Sequence, residues 1–414
     1  MDNGGMTGAP GVIDPQTLLL GLMDPGNRAD PYPLYERFLD SGPLALPDAN
    51  LVVFPGFADC DEVLRHPASA NDRLKSTVSQ KQIAAGQRQA RPFGEPGFLF
   101  LDPPDHTRLR GLAQKAFAPK VIKALEADIV TMVDGLLEGA TGTIDVVADL
   151  AYPLPVAVIC RLLGVPMADE PLFSRASALL AGGLDPFVAV NDETADDTAD
   201  LMEAGLWLRG YLRDLIEERR SSPGEDLISA LIAAEEDGDQ LTSEEIVATC
   251  NLLLIAGHET TVNLIANAAL AMLRHPQHWA ALAADSSRAS AIVEETLRFD
   301  PPVQLTSRVA VEDIQIGDVA VPKGDIMMLL LAAAQRDPRM YDRPGEFDPD
   351  RGAIKHLAFG KGPHFCLGAP LARLEATVAL SALAARFPHA QLAGEPVYKP
   401  NLTLRGLATL PVSV

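Results

Sequence analysis

The chain has 414 residues, 47% of them hydrophobic, enough to bury a large core and too many for a disordered protein. Lys and Arg number 34 against 56 Asp and Glu, and the formal net charge of −22 disfavours nucleic acid and anionic membranes as partners. The four cysteines, Cys60, Cys160, Cys250 and Cys366, are spread too widely for a CxxC metal or redox pair, and they do not suggest a disulfide framework.

The first sixteen residues are Gly-rich and acidic, with no basic stretch leading into an apolar core, so no secretory signal is expected. Residues 1–30 are rich in Pro and Gly and are expected to be irregular; residues 31–414 are expected to form a single domain. Residues 51–56 (LVVFPG) read as a strand and the following FADCDEVLRH as a short helix. Weak periodicity over 67–100 predicts a long functional loop. Helical periodicity then covers 105–117, 120–138, 145–163, 195–220 and 226–236.

The segment from Leu241 to Leu273 opens with Thr242-Ser-Glu-Glu245, the spacing of a capping box, and meets no proline until Pro276. At 1.5 Å per residue such a helix spans ~45 Å, the width of a domain, so it must cross the core. A further helix ends near Phe299. Alternation and Gly/Asp turns from Val303 to Leu330 predict a small antiparallel sheet. Its apolar run, Ile326–Ala334, is far shorter than the ~20 residues of a membrane helix. A Pro/Gly-rich meander over 337–365 precedes a last helix at 367–386, and the C-terminus returns to strand-like sequence. The chain is expected to be mainly α, not membrane-bound, and cytoplasmic.

Chemistry concentrates at Phe359-Gly-Lys-Gly-Pro-His-Phe-Cys-Leu-Gly368. Cys366 ends a Gly/Pro loop at the start of a helix, where backbone N–H groups and the helix dipole stabilise a thiolate. Glycines allow a close approach of the backbone to something flat and bulky. From these residues alone, a buried inert cysteine, a nucleophile paired with His364 and a soft metal ligand all stay open.

Residues 359–373, FGKGPHFCLGAPLAR, closely resemble the haem-binding loop of bacterial cytochromes P450, with Phe359, Gly362, His364, Cys366 and Gly368 at the diagnostic positions. Ala256-Gly-His-Glu-Thr-Thr261 resembles the family's oxygen-activating groove. Gly257 inside a helix costs ~1 kcal/mol against Ala, and Thr260 can turn its hydroxyl to the carbonyl of Ala256, opening the helix. Glu295 and Arg298 are spaced as a common helical surface pair worth a few tenths of a kcal/mol. The resemblance makes them the family's buried ExxR pair, with Arg351 as third partner. His106 and Arg110 lie on one helical face, as two donors for an anionic group; by resemblance they hold a haem propionate together with Arg308 and His364.

The resemblance covers residues 30–414 and implies a triangular, mainly α fold with a small β-rich lobe. The implied cofactor is haem b, held by an axial Cys366 thiolate and contacted by Phe359, Ala256 and Gly257. Glu259 and Thr260 are the implied proton-delivering pair. The implied pocket draws on residues 67–100, Gly182 to Val190, Leu253, Val303, Gln304, Leu305, Leu402 and Thr403, without an evident charge to hold a carboxylate. These features imply insertion of oxygen from O2 into a terpenoid, steroid, fatty acyl or polyketide-like molecule. No dinucleotide fingerprint or four-Cys cluster is present, so electrons from NAD(P)H are expected through a separate ferredoxin and its reductase, docking on Lys115, Lys120, Lys123, Lys361 and Arg373. A monomer is expected. Rival readings are a peroxide-driven peroxygenase, which the Glu259–Thr260 pair disfavours, and a gas-binding haem protein.

Overall fold

The structure is a computed structural model; it describes residues 14–87, 94–182, 195–236 and 241–414. The helices before the chain midpoint are α1 (Pro15–Met23), α2 (Tyr32–Ser41), α3 (Phe57–Arg65), α4 (Thr77–Ala84), α5 (Asp105–Gln114), α6 (Pro119–Leu137), α7 (Pro153–Leu163), α8 (Glu170–Gly182) and α9 (Ala195–Ser221). After it come α10 (Leu227–Glu236), α11 (Ser243–Arg274), α12 (Pro276–Ala284), α13 (Ala289–Phe299), α14 (Leu331–Ala334) and α15 (Ala369–Arg386). The capping box at α11 forms as the sequence predicts: Thr242 Oγ1 accepts from Glu245 N at 3.2 Å, and Glu245 Oε2 accepts from Thr242 N at 2.8 Å. With 32 residues, α11 is apolar on nearly all sides and runs through the core against α7, α9, α13 and α15.

The N-terminal expectation needs correction. Residues 15–23 are helical, because Asp14 caps Thr17 N at 3.1 Å and Pro15 occupies the first turn, where its missing N–H costs nothing. Leu18 and Leu22, one turn apart, bury themselves against Leu34, Tyr35 and Phe38. The 67–100 segment likewise holds more order than a loop, with α4 capped by Ser76. The helix expected over 145–163 is divided into a strand, a π-helical turn at Val147–Ala151, and α7. Pro153 carries no N–H to continue the first helical run and instead begins the second.

The strands are β1 (Leu44–Leu46), β2 (Leu51–Phe54), β3 (Ser69–Ala70), β4 (Thr143–Asp145), β5 (Thr306–Ala310), β6 (Ile314–Ile316), β7 (Val319–Val321), β8 (Ile326–Leu329), β9 (Gln391–Leu392), β10 (Val397–Tyr398), β11 (Leu407–Thr409) and β12 (Pro411–Ser413). The β5–β8 and β6–β7 pairs are antiparallel, as the alternation predicts. The principal sheet, however, is mixed, in the order β1-β2-β8-β5-β3, with β8 running parallel to β2 (Leu51 opposite Ile326). Its outer strands come from the N-terminal part of the chain, a pairing no local pattern can announce. This sheet carries Arg308 to the edge of the central cavity.

Candidate active site

Cys366 lies between the Gly362–His364 turn and α15, with its backbone N–H donating to Phe359 O at 2.8 Å. Burial pushes its thiol up, and the N–H groups of Gly368 and Ala369 together with the Arg110 charge pull the other way. The loop glycines do not all face the cavity. Gly362 has φ +67°, and a Cβ there would stand 2.7 Å from Leu64 O, so this glycine admits the end of α3 rather than a cofactor. Cys60, Cys160 and Cys250 are buried outside the cavity lining, which leaves Cys366 as the cavity thiol.

Two imidazoles and two arginines gather beside this loop. The rings of His106 and His364 stand 4.0 Å apart, and neither nitrogen of the buried His106 has a hydrogen-bond partner. Arg308, 6% exposed, donates only to Ser307 O at 2.8 Å and Thr306 Oγ1 at 3.4 Å, and burial pushes it down to about 10. Arg110 donates to Phe365 O at 2.5 Å. Burial and the neighbouring cations push His364 down to about 3. Buried cations and orphaned imidazole nitrogens without a paired carboxylate are costly unless an anion joins them. All four residues expected to grip propionates therefore come together, and their chemistry fits a group that carries two carboxylates.

Across the cavity, Thr260 Oγ1 donates to Ala256 O at 2.8 Å, as expected, and Thr261 Oγ1 repeats the pattern on Gly257 O at 3.0 Å. Two consecutive carbonyls are thus drawn from the α11 ladder toward side-chain hydroxyls, and Ala256, Gly257, Thr260 and Thr261 all line the cavity. Glu259 stands elsewhere. It is 4% exposed, absent from the lining, and accepts from Lys399 Nζ at 2.5 Å; the same ammonium reaches Asn263 Oδ1 at 3.2 Å. The hairpin β10–β11 approaches so closely here that a Cβ on Gly406 would overlap Asn263. Sequence reasoning missed Lys399, which lies 140 residues away from its partner.

The cavity encloses about 300 Å³. Leu253, Val303, Leu305, Thr403 and Phe359 line it, as expected, with Phe98, Leu99 and Phe100 from the 67–100 segment. Leu402 does not: the chain bends at 402–403, so Leu404, bridged to Val303, lines the cavity while Leu402 packs in the Tyr35–Phe38 cluster. Gln304 is likewise buried away from the lining. Contrary to the expectation of an uncharged pocket, Arg73 is part of the wall, with its guanidinium 5.6 Å from the Phe100 ring centre. The expected contribution of residues 183–190 lies outside the described residues. Of the expected docking cations, Lys115, Lys120 and Lys123 are exposed and Lys361 half-buried. Arg373 is already committed to Glu294, at 2.5 and 3.1 Å, and covers Phe359.

Glu375 on α15 also borders the cavity; it is fully buried, its Oε2 has no partner, and burial pushes it up to about 8. In the apoprotein the folded state keeps a proton that the unfolded chain releases above about 4.5, so stability falls as pH rises from 4.5 to 8. Glu375→Gln is expected to remove this slope, gaining on the order of a few kcal/mol over the parent at the alkaline end. Urea unfolding midpoints of both apoproteins across that window check it; parallel curves would rule the effect out.

A cysteine at a helix start, two arginines and two imidazoles beside it, and a Thr260 hydroxyl in the same cavity match the site expected of a haem-thiolate protein. The family described as Cytochrome P450 matches residues 63–413. Crystallised CYP164A2 of Mycobacterium smegmatis, in a ligand-free state, is 67% identical with a TM-score of 0.91, covering 96% of this chain and all of that one. Vitamin D(3) 25-hydroxylase of Pseudonocardia autotrophica is 42% identical over 93% of this chain and 94% of that enzyme. The monooxygenase PikC of Streptomyces venezuelae is 39% identical over 99% and 95%. The chain belongs to the cytochrome P450 family, shares its mainly α fold, and is an oxidoreductase of the monooxygenase type whose cofactor is haem with a cysteine thiolate. No helix among the described residues is long and apolar enough to cross a membrane.

Proposed function

We propose that this chain inserts one oxygen atom from O2 into a hydrophobic small molecule of terpenoid, steroid, fatty acyl or polyketide type, with NAD(P)H electrons arriving through a ferredoxin and its reductase. One observation carries the reading: a largely apolar cavity lined by both Cys366 and Thr260. Haem bound there supplies the oxidant. Cys366 would hold its iron, and a thiolate there would supply the electron density on which the oxidation depends. Arg110, Arg308, His106 and His364 hold its propionates, while Glu295, Arg298 and Arg351 keep the surrounding meander folded. Thr260 holds a proton at Oγ1 beside the oxygen groove. Glu259, released from Lys399, takes a proton from solvent water and passes it on to replace the one Thr260 gives up.

The lining of Leu, Ile, Val and Phe side chains supports an apolar substrate, and the name of the vitamin D(3) hydroxylase relative agrees with a steroid-sized one. The exposed Lys115, Lys120 and Lys123 suit an acidic ferredoxin, which an overall net charge of −22 would otherwise repel. The enzyme works in the cytoplasm as a monomer.

Turnover of a substrate that shifts the haem spin state tests the reading. Product should form with NAD(P)H, reductase and ferredoxin; formation with peroxide alone and none with the redox chain would favour a peroxygenase. Thr260→Ala should keep oxygen consumption but lower product per oxygen about tenfold, with hydrogen peroxide making up the difference. Unchanged coupling would show that protons reach the groove by another route.

A further inference from the structure

Arg209, midway along α9, is 4% exposed and is absent from the cavity lining. Its Nη1 donates to Glu95 O at 3.3 Å, and its Nη2 stands 3.1 Å from Glu244 Oε2 in the first turn of α11. Glu244 is itself fixed by Arg213, at 2.6 and 2.9 Å. The loop that Arg209 grips is unusually close to both helices. Gly94 has φ +81°, and a Cβ there would stand 3.2 Å from Arg209 Nη2. At Gly97 a Cβ would stand 2.6 Å from Leu252 Cβ and 3.0 Å from Ala248 O on α11. Phe98, Leu99 and Phe100 follow at once, and all three line the cavity.

We propose that Arg209 is a positioning residue that sets, from outside the cavity, how deep the Phe98–Phe100 wall stands, and hence the bulk of the molecule accepted. The physical reason is the fork of the guanidinium. One planar group ties α9 to the loop backbone and to α11 at once, whereas an ammonium is a single point of charge and cannot span both partners. The two glycines leave the loop no side-chain bulk to hold it off either helix, so its height is decided by these ties. A substrate large enough to touch the wall feels Arg209; one confined to the iron does not. The inference rests on the cavity being the haem and substrate site.

The test uses the holoprotein and two iron-binding probes of different size, imidazole and econazole, followed by the Soret shift. Arg209→Met should weaken econazole at least about tenfold and leave imidazole within about twofold. Hydrogen exchange should quicken at the amides of Phe98 to Leu101 and stay unchanged in α15. Arg209→Lys should recover only part of the econazole affinity. Gly97→Ala displaces the same wall from its other side with Arg209 intact, and should reproduce the selective loss even if Arg209→Met folds poorly. Parallel changes for both probes, or unchanged exchange at 98–101, would overturn the inference. A parent protein with no Soret response to imidazole would instead overturn the haem reading beneath it.

Discussion

Cys366→His is expected to abolish the far red-shifted Soret band that the dithionite-reduced, carbon monoxide-bound parent shows, and to reduce product formation to background. The geometry makes this the most damaging single change in the cavity. Cys366 is the cavity thiol, so the substitution replaces the side chain proposed to hold the iron. The N–H groups of Gly368 and Ala369 and the Arg110 charge stabilise an anion at that point. An imidazole is a neutral ligand and gains nothing from them, and it withdraws the electron donation on which O–O cleavage depends. Arg110, Arg308, His106 and His364 are untouched, so the variant should still take up haem with a histidine-type spectrum. A surviving thiolate band would move the ligand to another cysteine and remove the central assignment.

Arg298→Leu is expected to cost about 3–5 kcal/mol of stability, the penalty for breaking a buried ion pair. Glu295 and Arg298 are both fully buried, with Nε at 2.7 Å and Nη2 at 2.6 Å from the carboxylate. The guanidinium also donates to the carbonyls of Gln335, Pro344 and Glu346, and Glu295 accepts from Arg351 Nε at 3.1 Å and Asp348 N at 2.8 Å. Removing the arginine leaves the buried carboxylate to Arg351 and Asp348 alone and takes the guanidinium donor from the carbonyls of Gln335 and Pro344. Domains have only about 5–15 kcal/mol in hand, so much of the variant should be unfolded and free of haem at 37 °C. Urea unfolding and the haem-to-protein absorbance ratio measure this; an unchanged midpoint would return the pair to the few tenths of a kcal/mol of an exposed one.

That contrast shows how legibility varied along the chain. Spacing alone puts Glu295 and Arg298 on one helical face, and an exposed pair reads identically. Only the surrounding meander, folded onto α13 by Arg351 and Asp348, makes the pair buried. Helix α1 was legible in principle, through the Asp14-Pro15 cap and the Leu18–Leu22 spacing, but the Pro/Gly content of its neighbours masked the signal. Leu402 and Leu404 would share a face of an extended strand, but the chain bends at 402–403, so Leu404 lines the cavity and Leu402 does not. The bridge from Leu404 to Val303, about a hundred residues earlier, is a tertiary contact that spacing does not announce.

By itself, the sequence determined the reacting groups and the secondary elements that bear them. Cys366 with its helix start, the Gly257–Thr260 turn, and the long capped helix are contiguous in the chain, and local hydrogen bonding and periodicity suffice to place them. Tertiary structure alone decided what faces what. Lys399 reaches Glu259, Arg308 arrives on a mixed sheet completed by N-terminal strands, and Arg209 grips the loop behind Phe98. Each joins segments far apart in the chain, and burial rather than spacing sets the strength of such contacts. The chemistry is therefore written locally, while the shape of the cavity that selects its substrate is a property of the packed whole.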